Sequence, residues 1–341
     1  MAADVEIEKP GIWAITLSSL KASLARPSLW LFTWGVILVA SFPFAFAYHQ
    51  GVTKALSNNY APGSQLGWFT TDFFRDHASE LESLSTSAST GFGILALLMP
   101  LVGAFFAGGW LQILLERTSG RSLRRFLWGG ARTFWRFVRV WLFFLAFFLL
   151  VSWLFYGVVF DKYVLSPFGA NVAEDLPRED YAFWWKVLQA TLLAISYFKL
   201  KVWATYTRTR LALLNTRSVM VAGIACWWMM LRHPMRTFGP MLLLLLVQLP
   251  VVGLMGFVSA DLDGGLDSTS GWRVILVMFA LNQVALLWGE ILFGARYSAA
   301  VQVCRSLIRA SVEPDPFADR VGGPGGPQYP IDDSDEYGVS Y

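Results

Sequence analysis

Residues 116–139 read ERTSGRSLRRFLWGGARTFWRFVR, a basic stretch between two long apolar runs. The stretch carries seven arginines against the single acid Glu116. On a helix, its apolar residues recur at helical spacing and form one face: Leu123, Phe126, Leu127, Ala131, Phe134, Trp135 and Val138. We therefore predict an amphipathic helix that lies in the membrane interface and precedes a separate membrane span.

The arginines of this stretch are the predicted contacts to anionic lipid headgroups. Four of them share the face opposite the apolar one, and a fifth precedes the helix: Arg125, Arg132, Arg136, Arg139 and Arg121. Because short basic connections stay on the inner side of a membrane, the stretch is predicted to be cytoplasmic.

Composition indicates a multi-pass membrane protein. Of the 341 residues, 55% are hydrophobic and only 15% are charged, whereas soluble domains carry about 25% charged residues. The arginines adjoin apolar runs, so lipid is their expected partner and nucleic acid is not. Cys226 and Cys304 fall on the predicted cytoplasmic side, where a disulfide is not expected.

Six apolar runs are long enough to cross a bilayer, which requires about 20 residues. They cover residues 28–48, 91–115, 140–160, 181–205, 238–257 and 272–294. The connections on one side are acidic and those on the other are basic, so both termini are predicted to be cytoplasmic. The predicted fold class is therefore an all-α polytopic membrane protein with six spans and amphipathic interfacial helices.

Two shorter segments complete the membrane domain, residues 1–312. A short amphipathic helix is predicted to begin at Pro10 and end at Arg26-Pro27, with Trp13, Leu17, Leu20 and Leu24 at helical spacing. Ser218–Leu231 is apolar but has only 14 residues, so it is interfacial, re-entrant or buried in the bundle. Residues 313–341 form an acidic, Pro- and Gly-rich tail that is predicted to be disordered and cytoplasmic.

A short echo favours an internal repeat. Leu24-Ala25-Arg26-Pro27 precedes the first span, residues 132–139 precede the third, and Leu231-Arg232-His233-Pro234 precedes the fifth. The hypothesis is three helical-hairpin repeats, each with an interfacial helix, an outgoing span and a returning span.

Glu290 is the strongest candidate for a functional side chain, because acids within spans are rare and often functional. Lys199 and Lys201 of the fourth span fall at a similar predicted depth, so either lysine is a candidate partner for Glu290. The alternative is a purely structural pair, or lysines that extend to the headgroups independently.

Other patterns have structural interpretations. Small residues in the second span predict close helix packing: Gly103, Ala104, Ala107 and Gly108. Asp72, Asp76 and Glu80 are interpreted as a solvated acidic face, so no metal site is predicted. The pairs Trp184-Trp185 and Trp227-Trp228 are interpreted as interface anchors, with a pigment, quinone or lipid contact left open. No cofactor is predicted.

The segments AGGWLQILLERTSG (residues 107–120), TYTRTRLALLNTRSVMVAG (205–223) and LRHPMRTFGPMLLLL (231–245) carry a resemblance. In their order, the chain resembles uncharacterised bacterial six-span proteins similar to the membrane domain of glycerophosphoryl diester phosphodiesterases. The resemblance covers residues 12–310 and implies the fold and a bacterial inner membrane. It implies no reaction, because the soluble phosphodiesterase barrel is absent from this sequence.

The sequence shows no catalytic motif, so an enzyme is not expected. The leading hypothesis is a non-catalytic scaffold or accessory subunit of a membrane assembly, with a protein partner in the membrane or at the tail. The alternative is a lipid or small-solute permease that uses the fourth and sixth spans.

Overall fold

The computed structural model describes residues 11–56, 78–116, 122–156, 163, 179–216, 218–264 and 271–307. Within these residues, the regular structure is entirely α-helical. The helices are α1 (Ile12–Leu24), α2 (Pro27–Leu56), α3 (Ala78–Leu115), α4 (Ser122–Tyr156), α5 (Glu179–Leu213), α6 (Val219–Arg232), α7 (Pro234–Gly264) and α8 (Gly271–Leu307). They belong to one compact unit that ends at Ser306. The acidic residues Asp72 and Asp76 and the tail, residues 313–341, lie outside the described residues.

Four of the described helices contain stretches long and apolar enough to cross a membrane: Gly93–Leu115, Ser122–Tyr156, Pro234–Val258 and Leu276–Leu307. A fifth is present if α1 and residues 27–43 of α2, which meet at 74°, count as one broken span. The predicted fourth span, residues 181–205, lies in α5 and is not among them. Helix α5 carries Lys186, Lys199 and Lys201 along this length, which lowers its hydropathy.

The predicted division between an interfacial helix and a third span at residues 140–160 is wrong. The structure shows one continuous helix, α4, from Ser122 to Tyr156. Residues 131–156 contain neither glycine nor proline, so nothing stops the helix at the junction. The basic stretch is therefore an extension of the membrane-crossing helix.

The apolar face predicted for residues 123–138 is largely an outer surface. Leu123, Leu127, Ala131 and Trp135 are exposed, and only Phe126 and Val138 of that face are clearly buried. The packed face of α4 is instead formed by Phe126, Gly129, Gly130, Phe137, Val140 and Phe144. In lipid, apolar side chains gain little from helix association, so small residues form the contacts and large apolar ones remain outside.

Helices α3 and α4 are in close contact along a glycine seam, formed by Gly108, Gly109, Gly129 and Gly130. A Cβ built on Gly108 would lie 3.0 Å from the carbonyl oxygen of Gly129 and 3.1 Å from the Cα of Gly130. Ala104 and Ala107 are fully buried. Gly103, also predicted to pack, has no atom within 4 Å of a built Cβ and lies outside the seam.

The first helix follows the same outward pattern. Trp13, Leu17 and Leu24 of α1 are exposed, whereas the buried side chains include Thr16, Ser19 and Ser23. The Ser23 hydroxyl donates to the carbonyl oxygen of Ile291 in α8 at 2.6 Å. A hydroxyl-bearing face thus attaches α1 to the bundle and leaves its apolar face uncovered.

Helix α6 corresponds to the short apolar segment Ser218–Leu231. The Ser218 side chain accepts a hydrogen bond from the Val221 backbone N–H and caps the helix start. One face, with Gly223 and Cys226, packs toward α5, and the other exposes Val221, Ile224 and Trp228. Of the three interpretations for this segment, this amphipathic arrangement favours the interfacial one.

The core lies where the C-terminal parts of α3, α5 and α8 meet. Trp110, Tyr206 and Leu292 are fully buried there, and the free thiols Cys226 and Cys304 are buried as well. The preceding parts of α5 and α8, residues 181–197 and 276–286, are mostly exposed. Tight packing is therefore concentrated at the end predicted to be cytoplasmic.

An aromatic cluster joins α4, α5 and α6. The Trp203 indole N–H donates to the carbonyl oxygen of Gly223 at 2.8 Å. Its ring lies 4.6 Å from that of Phe144 and 5.0 Å from that of Trp227, measured between centroids. Trp203 is therefore the side chain through which three helices contact one another.

Candidate functional site

Charged side chains from α5 and α8 come together beside the core. We call Lys201, Arg208, Glu290 and Arg296 the polar cluster. Lys201 and Arg208 are seven residues apart on α5, which places them on one face two turns apart. Glu290 and Tyr297 have the same spacing on α8, so their faces bring the two helices' polar groups together.

Arg208 connects the two helices directly. Its Nη1 donates a hydrogen bond to the hydroxyl oxygen of Tyr297 at 3.0 Å. Its Nε is buried and has no hydrogen-bond partner within the described ranges. The guanidinium is therefore held in place at one end while one of its N–H donors remains unsatisfied.

Arg296 contributes a guanidinium group from α8 to the polar cluster. Its Nε donates to the carbonyl oxygen of Leu292, one turn earlier on the same helix, at 3.2 Å. The guanidinium is within electrostatic range of Glu290 and of Lys201. The bond to its own helix keeps the Arg296 charge beside the bundle.

Glu290 lies near a third helix. Thr33 of α2 is close to it, although the Thr33 hydroxyl donates to the carbonyl oxygen of Trp30 at 3.1 Å. The carboxylate Oε2 is buried and has no hydrogen-bond partner among the described residues. A buried carboxylate oxygen without a donor is costly, because its lost hydration is not replaced.

Lys201 occupies the more open side of the cluster. Its ammonium nitrogen lies 5.7 Å from the centroid of the Tyr197 ring, one turn earlier on α5. It is within electrostatic range of both Arg208 and Arg296. The polar cluster thus combines three cations with one carboxylate, and positive charge is in excess.

The predicted pairing of Glu290 with Lys199 or Lys201 stays a prediction. Lys199 is exposed on α5, and Arg296 is within electrostatic range of Glu290. Lys201 belongs to the same cluster through the arginines. Sequence analysis missed Arg208, Arg296 and Tyr297, although the seven-residue spacings in α5 and α8 would have grouped Arg208 with Lys201 and Tyr297 with Glu290.

The chain was compared with family models, curated proteins and solved structures. No family model, no curated protein and no solved structure matches the chain.

The arginines predicted to contact headgroups have mixed surroundings. The Arg132 guanidinium lies 4.9 Å over the ring of Trp128, and Arg139 is exposed. Arg136 Nη1 donates to the side-chain oxygen of Asn215 at 2.7 Å. Asn215 follows α5 in the left-handed region, with φ of 48°.

Two predicted headgroup contacts remain. Arg125 is half-buried, and Arg121 lies outside the described residues. Arg136 is therefore held within the protein by Asn215, whereas Arg132 and Arg139 are exposed and their contact with headgroups stays a prediction. Within the ranges that the structure describes, no three His, Cys, Asp or Glu side chains are grouped so as to hold a metal ion.

Proposed function

We propose that the chain is a non-catalytic integral membrane protein that scaffolds or stabilises a membrane assembly. The observation that supports it best is the use of polar side chains as helix-to-helix connections. In the part of the chain that the structure describes, bonds between different helices include those from Ser23 to Ile291, Trp34 to Gln283, Gln189 to Phe155, Trp203 to Gly223 and Tyr206 to Thr237. These groups hold a fixed arrangement of helices, as a scaffold requires.

The proposed layout has six spans, with α5 as the fourth, in a bacterial inner membrane with both termini cytoplasmic. Three repeats would comprise α1 to α3, α4 with α5, and α6 to α8. Their support is a recurrent contact: the start of α4 packs on α3, α6 packs on α5, and α1 is bonded to α8. In each case, the first element of one repeat lies against the last helix of another.

The scaffold proposal predicts a protein partner. Purification of the full chain in a mild detergent, followed by mass spectrometry, is expected to recover one protein in stoichiometric amount. Deletion of residues 313–341 is expected to remove that protein if it docks at the tail. The control measures the melting temperature of the truncated chain. It should equal that of the full chain, so that loss of the partner is not caused by unfolding. If no protein partner co-purifies with the full chain, the scaffold proposal fails.

A second candidate, a lipid or small-solute permease, is favoured by the unpartnered Oε2 of Glu290. This residue lies in one of the four candidate spans. Arg296, within electrostatic range of it, follows the proposed sixth span on the same helix, and Lys201 of the proposed fourth span is within range of Arg296. Unsatisfied charge between two spans is typical of a transport pathway.

The permease candidate predicts a functional effect of Glu290→Gln with little structural change, because the amide has the same shape. In proteoliposomes, the transfer of fluorescent-headgroup phosphatidylglycerol between leaflets is expected to fall at least about tenfold, as for loss of a charge-assisted contact. Asn282→Ala, at an exposed position two turns away on α8, is the control. A variant that only melts at a lower temperature would identify Glu290 as structural and exclude this candidate.

A further inference from the structure

We propose that the polar cluster binds a phosphate-bearing anion, supplied by the headgroup of an anionic phospholipid in the leaflet predicted to be cytoplasmic. The inference goes beyond the scaffold proposal and concerns Lys201, Arg208, Glu290 and Arg296, a cluster that includes the residue on which the permease candidate rests. Three cations with one carboxylate leave two positive charges without a counter-charge in the cluster. Like charges held close together beside a packed core are unfavourable unless an anion is present.

The available donors match a phosphate. The Arg208 guanidinium gives Nη1 to Tyr297, yet its buried Nε is unsatisfied. Arg296 uses its Nε on a backbone carbonyl oxygen of its own helix. Guanidinium groups offer five N–H donors in a fixed plane and bind phosphate oxygens in pairs. Lys201 adds a mobile ammonium group on the open side of the cluster.

The surroundings favour a lipid over a free ion. Phe279 and Leu286 precede Glu290 on the same face of α8, and both side chains are exposed. On the face of α5 that carries Lys201, Val187 is exposed as well. A headgroup at the cluster would therefore have apolar side chains beside it for its acyl chains, which a free phosphate ion does not need.

The position of the polar cluster also favours a phospholipid as the source of the phosphate. The cluster lies beside the C-terminal ends of α5 and α8, on the side where basic connections predict the cytoplasm. Cytoplasmic leaflets hold anionic lipids, and basic residues near their surface are attracted to them. The apolar flank and this location together assign the phosphate to a phospholipid.

The test uses the detergent-solubilised full chain and three soluble probes. These are dioctanoyl phosphatidylglycerol, dioctanoyl phosphatidylcholine and inorganic phosphate, each titrated and measured by native mass spectrometry and by the melting temperature. We expect phosphatidylglycerol to bind at least about tenfold more tightly than phosphatidylcholine, because only the first carries a net negative charge.

The deciding variants are Lys201→Gln and Lys199→Gln, two residues apart on the same helix. Lys201→Gln is expected to weaken phosphatidylglycerol binding about tenfold, as the loss of one charge-assisted contact predicts. Lys199→Gln, which removes an exposed lysine outside the cluster, is expected to leave binding unchanged. The melting temperature without lipid should be the same for both, because Lys201 lies on the open side of the cluster.

Other outcomes overturn the proposal in distinguishable ways. Equal weakening by both variants would show diffuse attraction to a basic surface and no site at the cluster. Lys201-dependent binding of inorganic phosphate, without binding of phosphatidylglycerol, would retain the anion site and refute the lipid source. If neither phosphatidylglycerol nor inorganic phosphate binds, the cluster is not an anion site.

Discussion

Replacement of Gly108 by leucine is expected to force α3 away from α4 and to lower the free energy of unfolding by about 3 kcal/mol. A side chain at this position would overlap Thr133 and approach the backbone of Gly129 and Gly130. Backbone atoms cannot rotate aside as a flexible side chain can, so the helices themselves must separate. The loss is measured by equilibrium unfolding in mixed detergent micelles.

Gly103→Leu is the matched control, five residues earlier in the same helix. Nothing lies within 4 Å of a Cβ built there. Its unfolding free energy is expected to change by less than about 1 kcal/mol, the difference in helix propensity between glycine and other residues. If the two leucine variants are equally destabilised, the close approach of α3 and α4 is incorrect.

Replacement of Trp203 by alanine is expected to be the most damaging aromatic truncation, at about 3–5 kcal/mol of unfolding free energy. The change removes the bond to the Gly223 carbonyl oxygen and leaves a cavity among the rings of Phe144, Phe147 and Trp227. Helix α6 has only 14 residues and is too short to cross the bilayer, so it depends on this packing and should lose its structure first. Faster hydrogen exchange at residues 219–232 would report this.

Trp184→Ala provides the comparison, because Trp184 is on the same helix but exposed. It is expected to leave the unfolding free energy within about 0.5 kcal/mol of the original protein, as is usual for surface substitutions. An equal loss from both tryptophans would mean that ring size alone matters, and that the contacts of Trp203 contribute nothing specific.

The helices could be predicted from the sequence, but their partners could not. Apolar run length identifies α3, α4, α7 and α8 as helices able to cross a membrane, because the bilayer fixes that length. Periodicity also identifies two-sided helices such as α1. It does not say which side faces the protein, and in α1 and α4 the packed side is the one with hydroxyl groups or glycines.

The candidate site shows the same limit. The depth of Glu290 along its span follows from counting residues, and this singled out Lys199 and Lys201 as groups at the same level. Which of them approaches the acid depends on how α5 and α8 rotate about their axes. That rotation is set by contacts such as the bond from Arg208 to Tyr297, which no local pattern in either helix contains.

The length of α4 has a further consequence for the protein in a bilayer. Its 35 residues extend about 52 Å, whereas the hydrocarbon layer is about 30 Å thick. Only residues 140–156, about 26 Å of helix, are without a charged side chain, so the arginine-bearing first half of α4 extends beyond the hydrocarbon layer. Because the glycine seam fixes α4 to α3, neither helix tilts alone. A change in membrane thickness would consequently move both helices as one body.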